Sequence, residues 1–390
     1  MTGSANQDIP PQTGDSPPST LSFHYGRPDP QAFPVAALQA ALESALLRHV
    51  PASLLYGPEQ GPPLLLDVLR QRLQRQEGLQ LTPEQIFITA GASQGLDLIC
   101  RLWTRPGDAV LVEAPTYHEA IRLLRDYPVR LVSVEMDDQG LVTGALASTL
   151  ARLRAEGTTI AFLYTIPSFQ NPSGVTMSGA RRRALAALAR AEKLLIVEDD
   201  VYRDLCYEDT LPPSLFELAQ GQGVLRLGSF SKILAPGLRL GWVVAEPDAV
   251  ARLAGSGLRR SAGGANPFTA YAVAEFCRAG HLEPHVAGLL PLYRSRRDAM
   301  LAALDATMPS GVTWTRPSGG FFVWLTLPEP LSAGDLLSSV RPRGVTFPSG
   351  EAFFATGGGW RCLRLAFSYV SPDDFPRGME ILGQAIRAAG

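Results

Sequence analysis

The chain has 390 residues, 46% of them hydrophobic and 18% charged, with 37 glycines and 32 prolines. That length suggests two or three domains, and the composition is that of a loop-rich globular enzyme, which excludes a disordered or coiled-coil protein. A formal net charge of −2 offers no field to gather nucleic acid or an anionic membrane, so small-molecule partners are expected.

Taken in chain order, residues 1–21 are dominated by Pro, Ser, Thr, Gly and Gln and read as a tail that cannot offset the entropy of ordering. Residues 35–50 and 62–76 carry apolar positions at helical spacing, and Gly78 stands where the second helix should stop. The pattern then changes to short apolar runs with longer helical patterns between several of them: IFIT (86–89), AVLV (109–112), RLVSV (130–134), IAFLY (160–164) and LLIV (194–197). VLRLG (224–228) and LRLGWVVA (238–245) add two more. Runs without strict alternation mark strands buried on both faces, hence an α/β fold with a mostly parallel sheet covered by helices. A long helical run from about 282 to Met308 leads into VTW, FFVWL and CLRLAF strands and a closing helix at 374–388, a smaller α+β unit. No repeat period stands out. Cys100, Cys206, Cys277 and Cys362 lie far apart with no CxxC pair, which argues for buried thiols in a reducing cytoplasm and against a zinc site or a disulfide framework. No stretch reaches the ~18 apolar residues of a membrane span, and no signal-peptide core is visible, so a soluble cytoplasmic protein is expected.

Ligands of open parallel sheets sit beyond the carboxyl ends of the strands, and the chemistry-bearing residues follow those runs. After IFIT comes Ala90-Gly-Ala-Ser-Gln-Gly95, a small-residue turn into a helix N-terminus, suited to phosphate or simply a turn. After AVLV comes Tyr117, a ring for a ligand or for the core. After IAFLY comes Asn171-Pro172-Ser-Gly174, at the least a turn. After LLIV comes Glu198-Asp199-Asp200-Val201-Tyr202. Carboxylates there need a cation, a helix N-terminus to cap, or a ligand. The stretch SFSKILAPGLRLGW (229–242) supplies Lys232, an amine able to form imines, and Ser229, Ser231 and Arg239, groups that suit a phosphate. Pyridoxal phosphate asks for all of these together: an aldehyde, a ring nitrogen, a phenolic oxygen, a flat face and a phosphate. Arg181-Arg182-Arg183 reads as a solvated helix face, and Gly357-Gly358-Gly359 as a loop.

With SFSKILAPGLRLGW, EDDVY and NPSG in this order, the sequence resembles the class I/II aminotransferases of pyridoxal-phosphate fold type I over about residues 22–388. It is similar to the branch that holds 2-aminoadipate and kynurenine aminotransferases and the catalytic-like domain of MocR regulators. The resemblance implies a large seven-stranded-type cofactor domain at 51–280, a small C-terminal α+β domain at 281–390, and an N-terminal segment at 22–50 packed on the small domain and the active site. It implies that Lys232 bonds the cofactor aldehyde and later shuttles the substrate proton. Asp199, three residues before Tyr202, is implied to pair with the ring nitrogen, Asn171 and Tyr202 to bind the phenolic oxygen, and Tyr117 to stack on the ring. The phosphate falls to Ala92, Ser93, Ser229, Ser231 and Arg239, with Tyr56 reaching it from the other subunit of a homodimer. Relatives have Ser-Gln where this chain has Ala92-Ser93, so one hydroxyl is missing. Arg364 is implied to clamp the substrate α-carboxylate, and Gly26 to lie in the segment over the active site. Arg27 reads as a solvated arginine after a turn or as the partner of a distal carboxylate.

The function implied is transfer of an α-amino group from an amino acid to a 2-oxo acid. The same cofactor permits other reactions on amino acids, such as that of a β-lyase. A MocR-like ligand sensor lacking its DNA-binding part is the reading outside the enzymes. Substrate identity is not written in the motifs, because the side-chain pocket comes from distant segments.

Overall fold

The computed structural model describes residues 20–208 and 210–389; residues 1–19, most of the expected tail, lie outside the described residues. The last tail residue is not free: Leu21–Ser22 forms a short parallel pairing with Val345–Thr346, and Leu21 is buried. An apolar residue at 21 has core to enter, unlike the polar stretch before it.

The seven apolar runs build one sheet, which has eight strands rather than the expected seven because the two-residue Gly140–Leu141 adds an edge strand. Its spatial order is Ile86–Thr89, Gly241–Val244, Val224–Ser229, Ile196–Asp199, Ile160–Thr165, Ala109–Ala114, Arg130–Asp137 and the two-residue Gly140–Leu141. The strands from Val224–Ser229 to Arg130–Asp137 pair in parallel, while Gly241–Val244 runs antiparallel to both of its neighbours. Both faces are covered. Ala109 and Leu111 point into one apolar cluster with Ile86, Ile88, Leu163 and Ile196, whereas Val110 and Val112 enter a second with Phe87, Phe162 and Val197. Alternate residues of one strand therefore feed opposite cores, the physical reason the runs lack polar alternation. Each fully buried Leu, Ile or Phe contributes about 1.5–3 kcal/mol.

Two runs are shifted from expectation. LLIV yields a strand at Ile196–Asp199, and LRLGWVVA yields one only from Gly241. Pro236–Leu238 forms a tight 3-10 turn and Arg239 takes a left-handed conformation, φ 48°, so the chain turns before pairing begins. The helix Pro63–Glu77 ends at Gly78 with φ 71°, as the glycine predicts. Val35–Arg48 packs along Pro267–Arg278.

The long helix Leu282–Thr307 and the closing helix Phe375–Ala389 pack on each other beside a three-stranded antiparallel sheet, Thr313–Trp314, Phe322–Thr326 and Cys362–Ala366. Trp324 pairs with Arg364 in its register. The segment after Leu21 is stitched to this layer: Phe23 N–H donates to the Thr346 carbonyl, the Ala366 N–H to the Phe23 carbonyl, and Asp29 pairs with Arg296 at 2.5 Å. These bonds carry residues 24–27 to the carboxyl edge of the large sheet.

The Arg181–Arg183 run departs from its expectation at two positions: Arg181 is half-buried, donating to the Gly140 and Leu141 carbonyls and pairing with Asp137 at 2.8 Å. Arg182 has no exposed surface and donates to the Met177, Pro167 and Pro213 carbonyls and to Ser168. A helix facing the sheet turns one residue of any three inward, and here backbone carbonyls satisfy the buried guanidinium. Gly357, Gly358 and Gly359 all have positive φ in a loop, as expected.

Candidate active site

A cavity of about 170 Å³ lies at the carboxyl edge of the parallel strands and is lined by Ala92, Ser93, Tyr117, Asn171, Asp199, Tyr202, Ser229, Ser231, Lys232 and Arg239. It shares Tyr117, Asn171, Tyr202 and Lys232 with a wider cleft of about 1100 Å³, whose walls add Gly26, Arg27 and Arg364. Tyr56 alone among the expected site residues lies outside both; it stands 88% exposed on the surface.

The alternation of one strand sorts the three carboxylates. Glu198 accepts from the Leu215 and Phe216 N–H groups at 2.8 and 2.9 Å, capping a short helix. Asp200 accepts from Ser168 at 2.6 Å and pairs with Arg226 at 2.9 Å. Those are the cap and the salt bridge that such a cluster can satisfy internally. Asp199 is different. Its Oδ2 accepts from the Tyr164 hydroxyl at 2.6 Å, but its Oδ1 is buried with no hydrogen-bond partner. Burial pushes this carboxyl up to about 6, helped by the charge of Asp200 and opposed by Tyr164, the Val201 N–H and the Lys232 amine. An unsatisfied buried acceptor on a cavity wall costs free energy until a donor arrives, and a protonated ring nitrogen is such a donor.

Lys232 points into the same cavity, its Nζ donating to the Gly26 carbonyl at 3.0 Å. Burial, with the Arg364 and Arg239 charges, pulls the amine down to about 8 against the attraction of Asp199. A substantial neutral fraction near neutral pH is what carbonyl attack requires. Gly26 has no room for a side chain: a Cβ would lie 2.1 Å from Phe322 Cζ.

Elsewhere on the cavity wall lies a cup whose free N–H groups suit an anion. The helix Ala92–Trp103 starts after Gly91 with no side-chain cap, and the first N–H groups of a helix lack intrahelical acceptors. Arg239 reaches over this turn, Nη2 donating to the Ala90 carbonyl at 3.0 Å. A Cβ on Gly91 would sit 2.7 Å from Arg239 Nη2, and one on Gly241 would sit 2.9 Å from Ala92 N. Ser229 Oγ accepts from the Ser231 N–H at 3.0 Å. The cup is therefore built chiefly from backbone, so Ala92 still presents its N–H where a hydroxyl is absent.

On the cleft side, Arg364 is buried, its guanidinium 4.3 Å from the centroid of Phe322 and 4.9 Å from that of Phe353. Nη1 donates to Asn171 Oδ1 at 2.9 Å and Nη2 to the His24 carbonyl at 2.5 Å, while Nε has no partner. Burial pulls this guanidinium down to about 10. Arg27 is not simply solvated: its guanidinium lies between the rings of Tyr25 and Tyr369, 4.3 and 4.7 Å from their centroids.

Three contributors were not legible in the motifs. Tyr164 reads as a strand residue yet holds Asp199. Glu113, buried at the end of its strand, accepts from Thr165, the Ile166 N–H and Gln170 Nε2; burial pushes it up to about 7. Gln170 also donates to the Pro115 carbonyl, so this one carboxyl ties the Asn171 loop to the Tyr117 loop. His118 packs edge-on against Tyr117 and Phe353. The available signal was position, one residue or less beyond a buried strand run, for Tyr164 and Glu113.

An amine, an orphaned buried acid and a turn of free backbone N–H groups around one cavity are complementary to an aldehyde, a protonated ring nitrogen and a phosphate, and the fold is that of the pyridoxal-phosphate enzymes of fold type I. The family model for aminotransferases of class I and II matches residues 28–382, and the chain belongs to that family. It is 37% identical over 378 residues to the 2-aminoadipate transaminase of Thermus thermophilus, covering 95% of this chain and 91% of that one. It is 36% identical over 368 residues to aromatic-amino-acid aminotransferase 1 of Thermococcus litoralis, covering 94% and 88%. The solved Pyrococcus horikoshii kynurenine aminotransferase, in complex with PMP, superposes with a TM-score of 0.91 at 35% identity, covering 95% of this chain and 91% of that one. The protein is thus a pyridoxal-phosphate-dependent aminotransferase that works on amino acid and 2-oxo acid substrates. Among the described residues no helix is long and apolar enough to cross a membrane.

Proposed function

We propose that the cavity between Lys232 and Asp199 is where this chain carries out amino-group transfer, with residue roles as follows. The carrying observation is the buried Oδ1 of Asp199, which has no partner in a cavity that also holds a lysine amine drawn down to about 8. Bound pyridoxal phosphate supplies a carbonyl that condenses with amines and a protonated ring that accepts the electron pair left at the substrate's α-carbon. Lys232 would hold the cofactor through Nζ, and as a free amine the same Nζ would take the substrate's α-proton and return it, acting as base and then acid. Asp199, kept ionised by Tyr164, keeps the ring nitrogen protonated. Asn171 and Tyr202 hold the phenolic oxygen. Tyr117 covers the ring. The first turn after Gly91, Ser229, Ser231 and Arg239 hold the phosphate.

Arg364 takes the substrate α-carboxylate in a forked pair, oriented by Asn171 and the His24 carbonyl. Retention of that carboxylate favours transamination over decarboxylation. We read the exposed apolar run Leu47, Val50, Leu54 and Leu55, with Tyr56 beside it, as the face of a homodimer in which Tyr56 serves the other subunit's cup. Of the four cysteines only Cys100 is buried as expected, whereas Cys206, Cys277 and Cys362 are half-buried; all four are free, which supports a cytoplasmic setting. Residues 51–280 and 281–390 are read as the large and small domains, with 22–50 bridging them.

The test is chemical. Borohydride reduction of the cofactor-saturated protein followed by digestion should tag the peptide containing Lys232, and Lys232→Ala should abolish both tag and turnover. A tag elsewhere, or turnover by the variant, overturns the assignment. Sedimentation of the purified protein decides the dimer.

A further inference from the structure

Arg259 lies outside the linings of both the cavity and the cleft, in the short helix Gly257–Ala262, yet only 2% of it is exposed. Its guanidinium rests 4.6 Å from the centroid of Phe87, Nε is sealed from solvent with no hydrogen-bond partner, and no carboxylate among the described residues lies within ion-pair distance. Burial pulls it down to about 10, with no neighbouring charge to oppose the shift. A buried cation that lacks an acid costs free energy. What it holds in return is the turn that forms the phosphate cup.

Arg259 Nη2 donates to the Ile88 carbonyl at 2.9 Å and to Gln94 Oε1 at 3.1 Å. Ile88 belongs to an edge strand of the large sheet, so its outward N–H and carbonyl have no further strand to meet; the N–H donates to the Gln60 carbonyl, and the carbonyl takes Arg259. Gln94 Oε1 also accepts from the Ala90 N–H at 2.7 Å, while Arg239 Nη2 donates to the Ala90 carbonyl at 3.0 Å. Ala90 is thus gripped at both ends, at its nitrogen through Gln94 and Arg259 and at its carbonyl by Arg239. Thr89 Oγ1 fastens the next carbonyl, that of Gly91, at 3.0 Å. Together these bonds aim the free N–H groups that open the helix Ala92–Trp103. Because Ala92 brings no hydroxyl, that aim decides more of how tightly the cup binds. Neither guanidinium at the turn pairs with a carboxylate among the described residues, and charges withdrawn from water are little screened by salt, so their field favours a multiply charged anion.

We propose that Arg259 is a positioning residue of the phosphate cup, acting from behind the turn through Gln94 to hold the Ala90 peptide and so the first free N–H groups of the helix. The inference rests on the phosphate role given to that turn above. It concerns how the cup is kept in shape, whereas the amino-transfer reading stands without it.

The test separates the phosphate from the rest of the cofactor. Dissociation constants of pyridoxal phosphate and of pyridoxal, which has the same ring and aldehyde but no phosphate, are measured by equilibrium titration of the full-length apo-protein in the wild type, Arg259→Met and Gln94→Ala. Loss of a hydrogen bond from a charged donor should weaken pyridoxal phosphate about tenfold in Arg259→Met and leave pyridoxal within roughly twofold. Gln94→Ala, which leaves the buried arginine in place, should give the same split. A general disturbance of the fold would weaken both ligands alike, so a ratio of the two constants unchanged in either folded variant overturns the assignment. Should Arg259→Met not fold, Gln94→Ala decides by itself. Were neither ligand to bind the wild type, the cofactor reading would fall, and calorimetric titration with inorganic phosphate would still decide Arg259: weaker binding by Arg259→Met supports the role, and phosphate bound equally by both proteins, or by neither, overturns it.

Discussion

Tyr164→Phe isolates the hydrogen bond that controls Asp199. The ring stays in its slot, so the core around Phe162 and Val197 keeps its packing, and only the 2.6 Å contact to Oδ2 disappears. Both partners are buried, and a hydrogen bond to a charged group of this kind is worth about 1.5–3 kcal/mol. At 1.36 kcal/mol per pH unit, its loss raises the carboxyl by roughly 1–2 pH units from its value of about 6. Asp199 must be ionised to pair with a protonated ring nitrogen, so cofactor binding weakens as pH falls through that value. The expected result is an acid limb near pH 6 for the wild type and roughly 7–8 for Tyr164→Phe, read from the cofactor dissociation constant of the apo-protein between pH 5 and 9. Asp199→Asn should bind weakly throughout with no such limb. A folded Tyr164→Phe protein with the wild-type acid limb refutes the reasoning, because it would mean that Tyr164 does not set the charge of Asp199.

The amine of Lys232 gives a stability signature. Its folded value of about 8 lies below the ordinary 10.5, so below pH 8 both states are protonated and the fold bears the cost of a confined charge; between 8 and 10.5 the folded amine gives up its proton and the cost fades. Apo Lys232→Met should therefore exceed the wild type in stability at pH 7 by about 1–3 kcal/mol, the upper end following from the lowered value and the lower from water in the cavity. The gap should close toward pH 10.5 in denaturant titrations, and a gap constant across that range counts against the assignment. Gly91→Ala places a methyl 2.7 Å from Arg239 Nη2 at φ 90°, so cofactor affinity should fall about tenfold or more, measured by equilibrium titration of the apo-protein; unchanged affinity would show that Arg239 does not close the cup. Ala92→Ser adds a hydroxyl at the first helical position of the cup, and a gain of one hydrogen bond predicts roughly fivefold tighter cofactor binding in the same titration.

Much of this site could be read from sequence because strand chemistry is local. Apolar runs without alternation can only be strands covered on both faces, and the residues just past them must gather at one edge; hence Tyr117, Asn171, Asp199, Ser229 and Lys232 meet as the order of runs implies. The period of two also determines that Glu198 and Asp200 share a face opposite to Asp199. Which face opens onto the cavity depends on the neighbours: Tyr164 from the adjacent strand on one side, Ser168, Arg226 and a helix N-terminus on the other. Arg182 and Arg27 show the same limit. An arginine's environment is completed by segments beyond its own turn, the Pro167 and Pro213 carbonyls around Arg182 and the ring of Tyr369 that joins neighbouring Tyr25 around Arg27, and no local spacing announces either. Sequence determined the elements, their order and the chemistry each carries to the sheet edge. Tertiary packing decided which buried charge found a partner and which did not, because that balance is struck between groups separated by tens to hundreds of residues.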